Sequence, residues 1–144
     1  MSPETIVIAS DHAGYGLKSV LKKDLEDRGM SVIDLGADGP DSVDYPDFAY
    51  ALAATITEGR DRRGVLVCGT GTGISMAANR HPEIRAALVY DAFGARLARQ
   101  HQDANVVCFG ERMIGVEVAR DCLKQFLETD FEGGRHAEIG RAHV

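Results

Sequence analysis

Gly64-Val65-Leu66-Val67-Cys68-Gly69-Thr70-Gly71-Thr72-Gly73-Ile74-Ser75 contains one full unit of the fold: an apolar β-branched run, a loop of alternating glycines, and the opening of a helix. A strand that is apolar at every position, instead of every second one, is covered on both faces, as strands of a parallel sheet are. Outward from this stretch the same unit recurs. Short apolar runs at residues 5–9, 31–35, 64–68, 86–90 and 105–109 alternate with amphipathic segments at 17–28, 45–59, 74–80, 92–100 and 115–127. Such alternation predicts βαβ units on a five-stranded parallel sheet, the middle layer of three. Ala87-Leu88-Val89, continuously apolar, reads as a second strand covered on both faces.

Nothing divides the chain. Its 144 residues suit one domain, 1–144, burying roughly two-thirds of the unfolded surface, with a polar tail over 128–144 that adds no strand. Sixteen Lys and Arg against 22 Asp and Glu leave a formal charge of −6, which argues against nucleic acid as a partner. No run approaches the roughly 18 apolar residues of a membrane span, and no basic, apolar leader opens the chain, so a cytoplasmic protein is expected. Cys68, Cys108 and Cys122 are odd in number and lack metal-type spacing, so neither a disulfide framework nor a zinc site is expected.

In open parallel sheets ligands bind beyond the carboxyl ends of the strands. That rule ranks the polar residues. Asp11-His12, the Cys68–Gly73 segment, Asp91 and Gly110-Glu111-Arg112 each follow a strand and fall on one edge. In the glycine loop, alternating glycines permit positive φ and let backbone amides close on an anionic oxygen. The loop is not a Walker loop, because Gly73 is followed by Ile74 and not by Lys-Ser/Thr, and its spacing is not that of the dinucleotide fingerprint. Cys68, heading a helix beside amide donors, reads either as a base or nucleophile or as a small buried apolar residue, whereas Cys108 and Cys122 read as core. His101 is placed in a polar loop before the fifth strand, free to swing toward a pocket, and Tyr45 either caps the second helix or lines the pocket.

Asp11-His12-Ala13-Gly14, Asp44-Tyr45-Pro46-Asp47, Cys68 through Ser75, Arg99-Gln100-His101 and Gly133-Gly134-Arg135-His136 occur in that order, and together they resemble the type B ribose-5-phosphate isomerases, grouped with the allose- and galactose-6-phosphate isomerases. The resemblance implies a Rossmann-like α/β/α subunit with shared active sites in a homodimer or dimer of dimers, its tail docking on the partner. It implies metal-independent interconversion of ribose 5-phosphate and ribulose 5-phosphate within the pentose phosphate pathway, with no cofactor and no membrane partner. Cys68 would move the proton between C2 and C1, His101 would open the furanose ring, and Gly69, Thr70, Gly71, Thr72 and Gly73 would cradle the enediolate, Thr70 assisting proton movement. Asp11 and Gln102 would bind the sugar, and His12 and Arg135 the phosphate, the arginine coming from the partner. Some members carry a glutamate base where Ile74 stands, so the cysteine version is expected here. Gln102 replaces the usual asparagine, and Ile139 the usual second phosphate arginine, leaving either Arg141 or Arg112 to take that load. A six-carbon sugar phosphate and a non-catalytic sugar-phosphate binding module are the alternatives.

Overall fold

The computed structural model describes residues 3–59 and 62–140. The strands are β1 (Thr5–Ser10), β2 (Ser31–Asp34), β3 (Arg63–Cys68), β4 (Ala86–Leu88) and β5 (Val106–Gly110). The helices are α1 (Tyr15–Asp27), α2 (Tyr45–Gly59), α3 (Thr72–Ala78), α4 (Ala92–Gln102), α5 (Val116–Glu128) and α6 (Arg135–Ile139), and a single 3₁₀ turn, His12–Gly14, precedes α1. All five strands pair in parallel, in the order β2-β1-β3-β5-β4. This is the expected α/β sandwich. Side chains alternate across the pleat. Ile6, Ile8, Val65, Val67, Val107 and Phe109 pack against α1, α4 and α5, whereas Val7, Ala9, Leu66, Val106 and Cys108 meet α2 and α3.

The strand order matters more for function than the layer count. From β1 the chain runs through α1 to β2 on one side; from β3 it runs through α3 toward β4 on the other. Neighbouring strands whose connections diverge leave a crevice at their carboxyl ends, the place where α/β sheets bind ligands. Here the crevice opens between Asp11, after β1, and Cys68, closing β3.

One sequence expectation changes at the β4 edge. β4 stops at Leu88, short of Tyr90, and its three residues are only half-buried. Its apolar run does meet a helix layer on each face, Ala87 and Val89 on the side of α4 and α5 and Leu88 on the side of α2 and α3, but less completely than β3, because β5 is inserted between β3 and β4 and leaves β4 outermost. Tyr90 and Phe93 beyond it are exposed.

One buried ion pair supports the strand that carries Asp11. Lys18 of α1 is 2% exposed, and its Nζ donates to Asp34 Oδ1 (2.8 Å) and to the Ala37 carbonyl (2.6 Å). The loop after β2 in turn bonds Ser10, through Ser10 N–H to Gly36 O and Ala37 N–H to Ser10 O. Burial by itself would raise the Asp34 carboxyl. The Lys18 bond, the Gly36 amide, the Lys18 charge and the Lys22 bond together outweigh it and hold the group below its ordinary 3.8. Its contribution to stability is thus complete above the unfolded value and is lost as pH falls through the lowered one. Asp34→Asn leaves the Lys18 ammonium buried without a counter-charge and should cost about 2–4 kcal/mol, less than the full penalty because Asp34 is partly exposed. The expected fall in Tm is on the order of 10 °C, with a flatter acid limb in a plot of Tm against pH; a shift under about 2 °C would refute it. The double variant Lys18→Met/Asp34→Asn should recover part of the loss.

Candidate active site

Three strand ends converge on the crevice. Asp11, 6% exposed, caps the 3₁₀ turn by accepting the Gly14 N–H at Oδ1 (3.1 Å), and its own N–H donates to Val67 O of β3 (3.2 Å). A short polar side chain at that position is what an N-cap selects. The second carboxylate oxygen has no partner among the described residues, so it is available to a hydroxyl. His12 is held by its Nδ1, 3.1 Å from the Val43 amide nitrogen and 3.2 Å from the Val43 carbonyl oxygen. Val43 can serve as donor or acceptor, so either tautomer of the ring keeps its orientation and leaves Nε2 facing away from that anchor.

Cys68 is 4% exposed, and its Sγ accepts the Gly71 N–H at 3.1 Å. The sulfur therefore turns to the loop at the head of α3, although its stem joins the core against α2 and α3. Gly71 makes this turn at φ +79°, and a Cβ there would lie 2.5 Å from Leu88 Cδ1 and 2.8 Å from the Phe109 carbonyl carbon, so only glycine fits. A Cβ on Gly73 would meet the Tyr45 ring at 2.6 Å, which puts Tyr45 over the loop as well as at the start of α2. The amide cradle is smaller than the sequence suggested. The Gly71 N–H serves the sulfur, the Thr72 N–H donates to Thr70 Oγ1 (3.2 Å), and the amides of Thr70, Gly73 and Ile74 have no partner among the described residues. Buried Cys108 is core, its thiol pushed up by burial and then by nearby Cys68; Cys122 is likewise core, pushed up to about 11 by burial and then by Asp91 and Asp121.

From β5, Glu111 N–H donates to Cys68 O and Arg112 N–H to Gly69 O, stitching this segment to the loop. Arg112 Nε lies 3.6 Å from where a side chain on Gly69 would begin, and the guanidinium has no ion-pair partner among the described residues. Glu111 reaches the other way and accepts the Leu17 N–H, capping α1. The crevice thus joins Asp11, His12, Cys68, Thr70 and Arg112. The arginine's strand-end position was its only sequence signal, and Arg141, the other candidate, lies outside the described residues.

His101, Gln102 and Arg135 are not in this group. α4 runs through Gln102, so His101 sits in its last helical turn and not in a swinging loop. Asp103, at φ +51°, ends the helix; its carboxylate pairs with Arg99 (2.9 Å), and Ala104 N–H returns to Ala98 O. Arg85, just before β4, donates to Gln102 O, placing this helix end at the amino edge of the sheet. Cys68 pairs with Gly110 at the opposite edge, and β5 alone separates the edges by roughly 13 Å at about 3.3 Å per residue. The described tail also docks on α4 of its own chain: Glu132 N–H donates to Gln100 O (3.1 Å), and the His136 ring stacks on His101 with centroids 4.3 Å apart. Arg135 therefore travels with His101. Gln102 lines a groove of about 470 Å³ beside β4, together with Leu88, Tyr90, Phe93 and Leu97.

Residues 6–141 match the family model described as Ribose/Galactose Isomerase. The chain is 41% identical to the ribose-5-phosphate isomerase B of Escherichia coli over 133 residues, covering 92% of this chain and 89% of that protein. Among solved structures, a ribose 5-phosphate isomerase of Thermotoga maritima superposes with a TM-score of 0.95 at 44% identity, over 97% of each chain. The ribose-5-phosphate isomerase B of Mycoplasma genitalium, crystallised with ribulose 5-phosphate, superposes with a TM-score of 0.92 at 40% identity, over 99% of this chain and 97% of that one. Matched over nearly its whole length by that family model and by relatives at 40–44% identity, the chain belongs to the ribose/galactose isomerase family.

Proposed function

We propose that the protein interconverts ribose 5-phosphate and ribulose 5-phosphate through an enediolate, without a metal, with Cys68 as the base. The observation that carries the reading is the Gly71 N–H on Cys68 Sγ within a crevice that also holds Asp11, His12 and Arg112. In the forward direction the thiolate removes the C2 proton of the open-chain aldose. The C2–H electrons form the C1–C2 double bond, and the carbonyl pair moves onto O1. Charge on that oxygen is stabilised by donors aimed at it, each worth roughly 3 kcal/mol in comparable sites, and the free loop amides supply them. Thr70 is within the same loop to pass a proton between O2 and O1, after which Cys68 returns its proton to C1. Asp11 holds hydroxyls. His12 and Arg112 take the phosphate from this chain, Arg112 doing what an arginine at Ile139 does elsewhere in the family.

Ring opening requires a second copy. His101 and Cys68 stand at opposite edges of one sheet, so a site containing both is completed by the partner subunit's His101, which brings with it Gln102 and Arg135. The half-buried edge strand β4 and the groove lined by Tyr90 and Phe93 are the apolar surface such a homodimer covers. No helix among the described residues is long and apolar enough to cross a membrane.

The test is conversion of ribose 5-phosphate followed by NMR in D₂O with EDTA present. Turnover of about 1–10³ s⁻¹ is expected, with a lower kcat/KM for allose 6-phosphate. Thermal stabilisation by ribose 5-phosphate without product would make the chain a binding module. Loss of turnover in EDTA, restored by added metal, would overturn metal independence, and preference for the six-carbon sugar would move the substrate assignment.

A further inference from the structure

The docked tail brings together three donor side chains that the proposed reaction does not use as a set. His101 comes from the last turn of α4, Glu132 from the approach to α6 and His136 from α6 itself. Their donor atoms all lie within 4.8 Å of one another. Glu132 Oε1 is 3.7 Å from Nε2 of each histidine. The two rings are close to parallel, 13° apart, so both nitrogens present to the same carboxylate.

Glu132 is shared equally between the two imidazoles. The spacing suits a different occupant. A tetrahedral ion held at about 2.0–2.1 Å has ligand-to-ligand edges of about 3.3–3.4 Å, so the carboxylate is within about 0.4 Å of the required distance to each nitrogen, and binding turns the two stacked rings apart by roughly tens of degrees so that their in-plane lone pairs meet at one ion. Two imidazoles and a carboxylate select Zn²⁺ and its transition-metal neighbours over Mg²⁺ and Ca²⁺, which take oxygen shells. The backbone bond from Glu132 to Gln100 holds the donors on their two elements, and side-chain exposures of 34%, 49% and 22% for His101, Glu132 and His136 leave room for a water as fourth ligand.

We propose that His101, Glu132 and His136 form a divalent transition-metal site that clamps the tail to α4 and, when filled, inhibits the enzyme by occupying the Nε2 of His101. The inhibitory half rests on the ring-opening role argued above; the binding half does not.

Titration calorimetry with ZnCl₂ on the full chain tests the site. Cys68→Ser serves as a control, since a thiolate also binds zinc. One Zn²⁺ per chain is expected for the wild type and for Cys68→Ser, with binding weaker by about tenfold or more in His136→Ala and Glu132→Gln. Cobalt(II) should give four-coordinate visible bands in the wild type that both of those variants lose. Equal binding in all four proteins, or loss in Cys68→Ser alone, would overturn the site. Zinc should inhibit isomerisation reversibly by EDTA, and His136→Ala should need about tenfold more zinc for the same inhibition. Unchanged sensitivity in His136→Ala would overturn the link to His101. A chain with no isomerase activity would sink the functional reading while calorimetry still decided the site.

Discussion

Cys68→Ala is expected to fold and to lose interconversion of ribose 5-phosphate and ribulose 5-phosphate by about 10²–10⁴-fold or more, the range that a positioned base contributes. The loss should fall on kcat, because Asp11, His12 and Arg112, the residues proposed to hold the substrate, are left in place. Structure should be spared. Removing one sulfur from a site 4% exposed leaves a small cavity next to a loop already fixed by Glu111 and Arg112, so a Tm lower by only a few degrees is expected. Cys108→Ala and Cys122→Ala act as opposite controls. Both thiols are kept protonated by burial, so these variants should lose stability and keep turnover. Near-normal turnover in Cys68→Ala would remove the sulfur from the mechanism and leave the Gly71 bond a structural detail.

Mixing two inactive proteins should restore activity. If each site draws Cys68 from one chain and His101 from the other, Cys68→Ala and His101→Ala homodimers are each dead, yet a mixed dimer carries one site with both groups intact. Random exchange makes half the dimers mixed, so about a quarter of all sites recover. A coupled assay after denaturation and refolding of the equimolar mixture therefore separates about 25% of wild-type activity from essentially none. No recovery, with mixed dimers demonstrated by mass spectrometry, would mean that the roughly 13 Å between the sheet edges is bridged within one chain or that His101 takes no part. This contrast tests the shared site without relying on any partner contact.

Most of the crevice was legible along the chain. Asp11, His12, Cys68 and Arg112 each follow a strand directly, and the alternating apolar runs that build parallel strands necessarily deliver the next residues to the carboxyl edge. His101 was misread because helix ends carry weak signals. The terminator of α4 is Asp103 in the left-handed region, where glycine is the usual sign, and the Arg99–Asp103 pair and the Ala104 amide that secure the end depend on the fold. The extent of the fourth strand was overread because an apolar run does not say where an edge strand stops pairing: Val89 stays in the core but lies beyond β4, which ends at Leu88. The short helix α6 was missed because Gly133 and Gly134, both at positive φ, look like the start of a frayed tail.

What the amino-acid order determined by itself was the set of elements and the polar residues at their ends, since both follow from periodicity and chain direction, which are local. Which strands are neighbours, and hence that Asp11 meets Cys68 while His101 is carried to the far edge beside Glu132 and His136, was decided only in three dimensions. The reason is physical: insertion of β5 between β3 and β4 is a choice among long-range pairings of similar strands, and its energy comes from packing spread over the whole sheet.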